Sequence, residues 1–403
     1  MNQTRIADRV RRIKPSPSTA AADRANELRR AGKSIVNLVV GEPDFDTPAH
    51  IRRAAAQAIE DGATRYTPMA GTMQLRQAII AKLLRENGLT YGPNEIIATN
   101  GAKSAIYAAL AATLEPGDEV IIPAPFWVSY PDMVIASEGT PVTVACPERQ
   151  GFKLTPQQLE GAITPRTRWL LLNSPSNPTG AIYAASEYQG LAEVLDRHPH
   201  VMVMTDDIYE HIRFDGGITP HILSVAPYLR DRTLAINGVS KTYAMTGWRI
   251  GWVAGPVDII KAIDTLLSQS AGNCCSVSQA AAAVALSGDQ SFVAESVAIY
   301  RQRRDMMAAR INAIPGLSCA VPDGAFYLYV NCAGLIGRKT SAGQTLETDV
   351  DVVLFLLDEA GVAVVAGSAY GLSPYFRLSI ATSIDVLAKG AERIKAAVEV
   401  IMS

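Results

Sequence analysis

Short apolar runs alternate with stretches of helical spacing over the first two thirds of the chain. The runs at 95–100 (EIIATN), 119–123 (EVIIP), 168–173 (RWLLLN), 201–205 (VMVMT) and 233–237 (TLAIN) lack in/out alternation. Strands of that kind are apolar on both faces, which suits the interior of a parallel sheet. Helical patterns at 103–114 and near 186–197 fall between them. Strand–helix alternation predicts a three-layer α/β/α fold around a mostly parallel sheet. Past residue 256 the rhythm changes. An amphipathic stretch at 258–268 and one long helical pattern over 277–312 precede a break at Pro315-Gly316. Strand-like pieces follow at 324–330, 362–365 and 376–380, around a polar loop at 331–348. This predicts a smaller α+β domain. A helix over 20–31 and a strand over 35–40 are expected to pack with it. The expected division is 1–45 as a segment joined to the small domain, 46–290 as a large ligand-binding domain, and 291–403 as the small domain.

Composition narrows the function. At 403 residues the chain can bury a large core. Lys+Arg is 37 and Asp+Glu is 39, a net charge of −2, which lacks the basic excess of a nucleic-acid binder. A hydrophobic fraction of 48% with 19% charged residues excludes a disordered chain. No apolar run reaches the roughly 18 residues of a membrane span. The N-terminal stretch lacks the apolar segment of an export signal. The five cysteines are scattered, with no C-x-x-C, as expected of a cytoplasmic protein. His198 and His200 stand beside Pro199 and are not spaced as metal ligands, so no metal site is expected.

Ligands of open parallel sheets sit at the carboxyl ends of the strands. After the run at 95–100 come Gly101, Ala102 and Lys103 at a helix start, where free N–H groups suit a phosphate. After 119–123 come Phe126 and Trp127; after 168–173 comes the turn containing Asn177. After 201–205 come Asp206, Asp207 and Tyr209, and after 233–237 come Ser240, Lys241 and Arg249. There is no G-x-G-x-x-G after a strand and no G-x-x-x-x-G-K-[ST], so the dinucleotide and P-loop readings fail. The Gly238-x-Ser240 turn resembles a nucleophile elbow, but Thr242 stands where the last glycine belongs. A lysine at a buried strand end loses its charge readily, and the neutral amine attacks an aldehyde. Pyridoxal 5′-phosphate is the common aldehyde cofactor. It asks for a phosphate cradle, an acidic partner for its pyridine nitrogen, a stacking face and donors to its phenolic oxygen.

The same residues carry a family likeness. The blocks at 41–48 (GEPDFDTP), 65–71 (RYTPMAG), 123–131 (PAPFWVSYP), 173–180 (NSPSNPTG), 206–211 (DDIYEH), 237–252 (NGVSKTYAMTGWRIGW), 322–329 (PDGAFYLY) and 376–383 (FRLSIATS) occur in order over nearly the whole length. In these the chain resembles the fold-type I pyridoxal-phosphate-dependent aminotransferases, in particular bacterial aspartate aminotransferases of the thermophile-like subgroup. The resemblance implies a catalytic Lys241 that forms an imine with the cofactor and then shuttles a proton. It implies Asp206 on the pyridinium, Trp127 stacked on the ring, and Tyr209 and Asn177 on the phenolic oxygen. It implies Gly101, Ala102, Ser240 and Arg249 on the phosphate, with Tyr66 reaching the phosphate of a neighbouring subunit in a homodimer with shared active sites. It implies Arg377 as the clamp on the substrate α-carboxylate, Gly41 beside it, and Lys103 near the distal carboxylate of a dicarboxylic substrate.

Simpler readings stand beside these. Lys103 also serves as plain positive charge near the phosphate. Tyr66 also serves as interface packing, Asp206 alone as a helix cap, and Ser240 as a turn cap. Asp207 is expected to cap a helix. Three features bear on the amino donor: adjacent Cys274 and Cys275, an extra proline in Lys14-Pro15-Ser16-Pro17, and Tyr370-Gly371 near the pocket. The leading function is amino transfer between an L-amino acid, aspartate or glutamate first, and a 2-oxo acid by a ping-pong cycle. The alternatives are transfer on aromatic amino acids or prephenate, a lyase on the same scaffold, and a non-catalytic regulator. The last is expected to carry an added DNA-binding domain, and only about forty residues precede the block at 41–48.

Overall fold

A computed structural model describes residues 5–15 and 17–403; Ser16, in the proline-rich departure above, lies outside them. The strands are β1 (Val36–Asn37), β2 (Ile96–Thr99), β3 (Glu119–Ala124), β4 (Thr140–Ala145), β5 (Thr167–Asn173) and β6 (Met202–Asp206). They continue as β7 (Thr233–Gly238), β8 (Gly251–Ala254), β9 (Tyr327–Asn331), β10 (Val362–Ala363), β11 (Val365–Ala366) and β12 (Tyr375–Ser379). Seven of them form one sheet in the order β2-β8-β7-β6-β5-β3-β4. Only β8 runs against its neighbours; the other pairings are parallel.

The absence of alternation in the apolar runs has a direct cause. Neighbouring residues of one strand enter different cores. Leu170 and Leu172 face a core with Ile79, Leu191 and Ala282, while Trp169 and Leu171 face another with Ile106, Tyr130 and Ile263. Each fully buried Leu or Ile contributes about 1.5–3 kcal/mol, so helices on both faces are held by the same strands. The first core is covered by helices including Met73–Lys82, Ala185–Arg197 and Ser276–Ser287. The second is covered by Ala102–Thr113, Tyr130–Ala136 and Val257–Ser268.

Two strands of this sheet escaped the sequence reading. β4 is a sheet edge whose residues are exposed or half-exposed, so its apolar signal is weak. β8 is a four-residue strand headed by Gly251, buried in a motif read for its chemistry. The long helical pattern at 277–312 is two helices, Ser276–Ser287 and Ser291–Asn312. The break falls at Gly288, and Asp289 restarts the chain by accepting the N–H of Ser291 at 2.9 Å and its hydroxyl at 2.8 Å.

A three-stranded antiparallel sheet, β11-β12-β9, lies against the helices Ser291–Asn312, Asp349–Asp358 and Ile384–Met402 in a third core. The expected strand at 362–365 is shared between two sheets: β10 pairs with β1, and β11 with β12. The expected strand at 35–40 is only β1, because Asn37 Oδ1 accepts the Val39 N–H at 3.0 Å and turns the chain. β1 runs parallel to β10 with Val36 opposite Val362, which ties the N-terminal segment to the C-terminal third. No helix among the described residues is long and apolar enough to cross a membrane.

Candidate active site

The carboxyl ends of β2, β3, β5, β6 and β7 open onto a cavity of about 500 Å³. Eleven of the predicted site residues line it: Gly41, Ala102, Lys103, Trp127, Asn177, Asp206, Tyr209, Ser240, Lys241, Arg249 and Arg377. Gly101 lies just behind its wall, at the N-cap of the helix Ala102–Thr113. Tyr66 does not line the cavity; it stands 98% exposed on the surface of the chain.

Lys241 follows β7, and its Nζ donates to the Gly41 carbonyl at 2.7 Å. Burial lowers its pKa to about 8; Arg249 and Arg377 add to the effect and Glu42 opposes it. A cation costs more where water is excluded and other cations stand near. Asp206 ends β6 and is buried. Burial raises its carboxyl to about 6, against the bond from Tyr130, whose hydroxyl donates to Oδ2 at 2.6 Å.

The phosphate-like end of the cavity is built from close backbone. Gly101 has φ of 88°, and a Cβ there would stand 2.5 Å from Arg249 Nη2. A Cβ on Gly251 would stand 2.5 Å from the Ala102 nitrogen. Arg249 reaches the same spot from the start of β8 and donates to the Thr246 and Asn100 carbonyls at 2.8 and 3.2 Å. A helix N-terminus, small residues and a guanidinium together make an anion cradle.

The opposite wall carries Arg377, only 3% exposed, on β12. Nη2 donates to the Val39 carbonyl at 2.6 Å and Nη1 to Asn177 Oδ1 at 3.1 Å. Its guanidinium lies over the Tyr327 ring at 4.3 Å and the Tyr370 ring at 5.2 Å. Nε is buried without a hydrogen-bond partner among the described residues. A buried guanidinium left so is a receptor for a carboxylate. Lys103 Nζ lies 4.9 Å over the Trp127 ring, and burial, then Arg249, lowers its pKa. The loop holding Asn177 is fastened by Asn173, which accepts the Asn177 N–H at 2.8 Å and donates to the Asp206 carbonyl at 2.7 Å.

Tyr130, Asn173 and Tyr327 also line the cavity and escaped the sequence reading. Each stood inside a quoted motif, but a string of letters does not say which side of its element faces in. Asp207 does not cap a helix, because a turn and not a helix follows it; its carboxylate accepts the Thr205 hydroxyl at 2.7 Å. Cys274 is buried and Cys275 stands at the N-cap of Ser276–Ser287. Behind the site, Glu86, Glu210 and His211 cluster closely enough to hold a cation. That role is taken by Lys82, whose ammonium pairs with both glutamates.

A neutralisable lysine, a buried carboxylate, an indole face and an anion cradle in one cavity fit an aldehyde cofactor with a phosphate tail and a basic ring nitrogen. Such a cavity has the chemistry to bond an aldehyde through its lysine and to receive a carboxylate at its buried guanidinium. Residues 33–394 match the model of the aminotransferase class I and II family, and the chain belongs to that family. It is 51% identical over 391 residues to the aspartate/prephenate aminotransferase of Cereibacter sphaeroides, covering 97% of this chain and 98% of that one. It superposes on the aspartate aminotransferase of Rhizobium meliloti with a TM-score of 0.96 at 50% identity, covering 98% and 99% of the two chains. The Thermus thermophilus aspartate aminotransferase solved with maleate gives a TM-score of 0.91 at 40% identity, covering 98% and 100%. The protein is an aminotransferase, and its cofactor is pyridoxal 5′-phosphate.

Proposed function

We propose that the chain moves the amino group of L-aspartate or L-glutamate to a 2-oxo acid in two half-reactions at this cavity. The observation that carries the substrate is the pairing of two cations in one cavity. Arg377 keeps an unpartnered Nε for the α-carboxylate, and Lys103 over Trp127 offers charge for a second carboxylate. The relative from Thermus thermophilus was solved with maleate, itself a dicarboxylate.

When bound, the cofactor supplies an electron sink for the substrate's α-carbon. The chain's residues do the rest. Lys241 Nζ holds the cofactor, then takes the α-proton and returns it. Its lowered pKa leaves a large neutral fraction near pH 8. Asp206, held by Tyr130, keeps the ring nitrogen protonated. Trp127 covers the ring face, while Asn177 and Tyr209 bond the ring oxygen. Gly101, Ala102, Ser240 and Arg249 hold the phosphate. Arg377 and Gly41 orient the α-carboxylate, so that the scissile C–H bond faces Lys241. Exposed Tyr66 completes the phosphate site of a second copy, which makes the enzyme a homodimer with shared sites. The residues 46–290 are assigned to the cofactor-binding domain, with the described part of 1–45 and 291–403 as the small one. A cytoplasmic location suits the five unpaired cysteines.

A second reading has prephenate as the amino acceptor, supported by the name of the Cereibacter sphaeroides relative. The test is a half-reaction screen of the twenty amino acids, read by loss of the bound cofactor's absorption band. Aspartate and glutamate should react fastest. Equal rates with alanine would overturn the dicarboxylate assignment.

A further inference from the structure

Tyr327 is assigned no task by the proposed cycle, yet it touches three of its residues. It sits on β9, buried, and faces the cavity. Its hydroxyl lies 2.8 Å from the Tyr209 hydroxyl. Its ring carries the Arg377 guanidinium at 4.3 Å. Gly41 passes so close that a Cβ there would stand 2.5 Å from the Tyr327 hydroxyl oxygen. A phenol has one hydrogen to give and two lone pairs to accept with. If Tyr209 spends its hydrogen on the cofactor's ring oxygen, its bond with Tyr327 must run the other way. Tyr327 then donates, and Tyr209 accepts.

We propose that Tyr327 is a positioning residue of this active site: its hydroxyl donates to Tyr209 and so aims and strengthens the bond Tyr209 makes to the cofactor's ring oxygen, while its ring seats Arg377. The inference rests on the role given to Tyr209 above. A donor that itself accepts a hydrogen bond is polarised and donates more strongly. The relay therefore helps hold the ring oxygen as an oxyanion, which favours loss of the neighbouring proton and lowers the pH midpoint of the cofactor's absorption band. One residue thus links the cofactor end of the cavity to its carboxylate end. A side chain in place of Gly41 would collide with the Tyr327 hydroxyl, so the glycine leaves that hydroxyl free to stay on Tyr209.

The experiment is a spectral pH titration of the holoenzyme in a double-mutant cycle of Tyr209→Phe and Tyr327→Phe. Tyr209→Phe should raise the band's midpoint. Tyr327→Phe should raise it too, by about half a pH unit, since it weakens the Tyr209 bond without removing it. In the Tyr209→Phe background Tyr327→Phe should add nothing. Tyr327→Phe keeps the ring over Arg377, so the rise in KM for the amino acid should appear in Tyr327→Leu and be absent from Tyr327→Phe. A Tyr209→Phe midpoint equal to wild type would overturn the role of Tyr209, and this inference with it. A Tyr209→Phe shift with no Tyr327→Phe shift would overturn the inference alone, as would equal Tyr327→Phe shifts in both backgrounds.

Discussion

At the scale of single residues, burial tunes the charges of the site. Lys241 at a pKa of about 8 carries a proton, and no lone pair, below that pH. The rate at which the cofactor-free chain takes up pyridoxal phosphate should therefore rise as pH increases through about 8 and level off above it. Stopped-flow absorbance would check this; a flat profile from pH 6 to pH 9 would contradict the neutral-amine role. Lys103→Ala should cut kcat/KM for aspartate about tenfold or more, in line with a lost charge-assisted bond, and leave alanine nearly unchanged. Equal losses for the two substrates would show that Lys103 serves only as background charge. The chemistry-bearing residues were legible because their types are rare in combination: lysine, arginine, aspartate and indole at successive strand ends. Tyr130 and Tyr327 were not, because a tyrosine in a motif is as ready to pack as to bond. Only the fold shows that their hydroxyls meet Asp206 and Tyr209.

At the scale of elements, a buried charged knot joins pieces of chain that carry the site. Glu210 follows Tyr209, and its carboxylate pairs with Lys82 and accepts from Asn87 at 2.9 Å and Asn237 at 2.6 Å. His211 reaches Thr242, the neighbour of Lys241, at 3.0 Å. Burial opposes the charge of Glu210, but Lys82, then His211, outweigh it and hold the carboxyl at about 2. A carboxyl depressed in the fold stabilises above its unfolded pKa, near 4.5, and loses that stability as pH falls toward 2. Glu210→Gln should flatten the acid limb of the stability curve in that window, as read by chemical denaturation. Lys82→Met leaves Glu210 buried without its cation and should cost about 3–5 kcal/mol. Gly251→Ala forces a methyl group against the Ala102 backbone and should weaken cofactor retention about tenfold, measured by release on dialysis. The central strands were readable from their apolar runs. The edge strand β4 was not, because its half-exposed face carries little apolar signal. The helix break at Gly288 was hidden by good helical spacing on both sides.

At the scale of the whole molecule, the proposed sharing of the site between two copies is open to a complementation test. Lys241→Ala and Tyr66→Ala should each lose activity, and mixing the two after unfolding and refolding should restore part of it. A hybrid dimer holds one cavity with its own Lys241 and the partner's intact Tyr66. No recovery on mixing, with hybrids detected by mass, would place Tyr66 outside the site. The layered architecture could be read from strand–helix alternation, which is a local pattern. The reversed strand β8 could not, since direction depends on which strands pair across the sheet. That reversal has an evolutionary consequence. Because β8 runs backwards, the chain leaves the sheet at Gly238 and re-enters at Gly251 on the same edge, carrying Lys241 out and Arg249 back. The loop at 338–345 lies mostly exposed, and lineages are free to lengthen or shorten it. Between 238 and 251 a single inserted residue would slide the amine past its anion cradle. Divergence in this family should therefore proceed there by exchange of side chains and never by change of length.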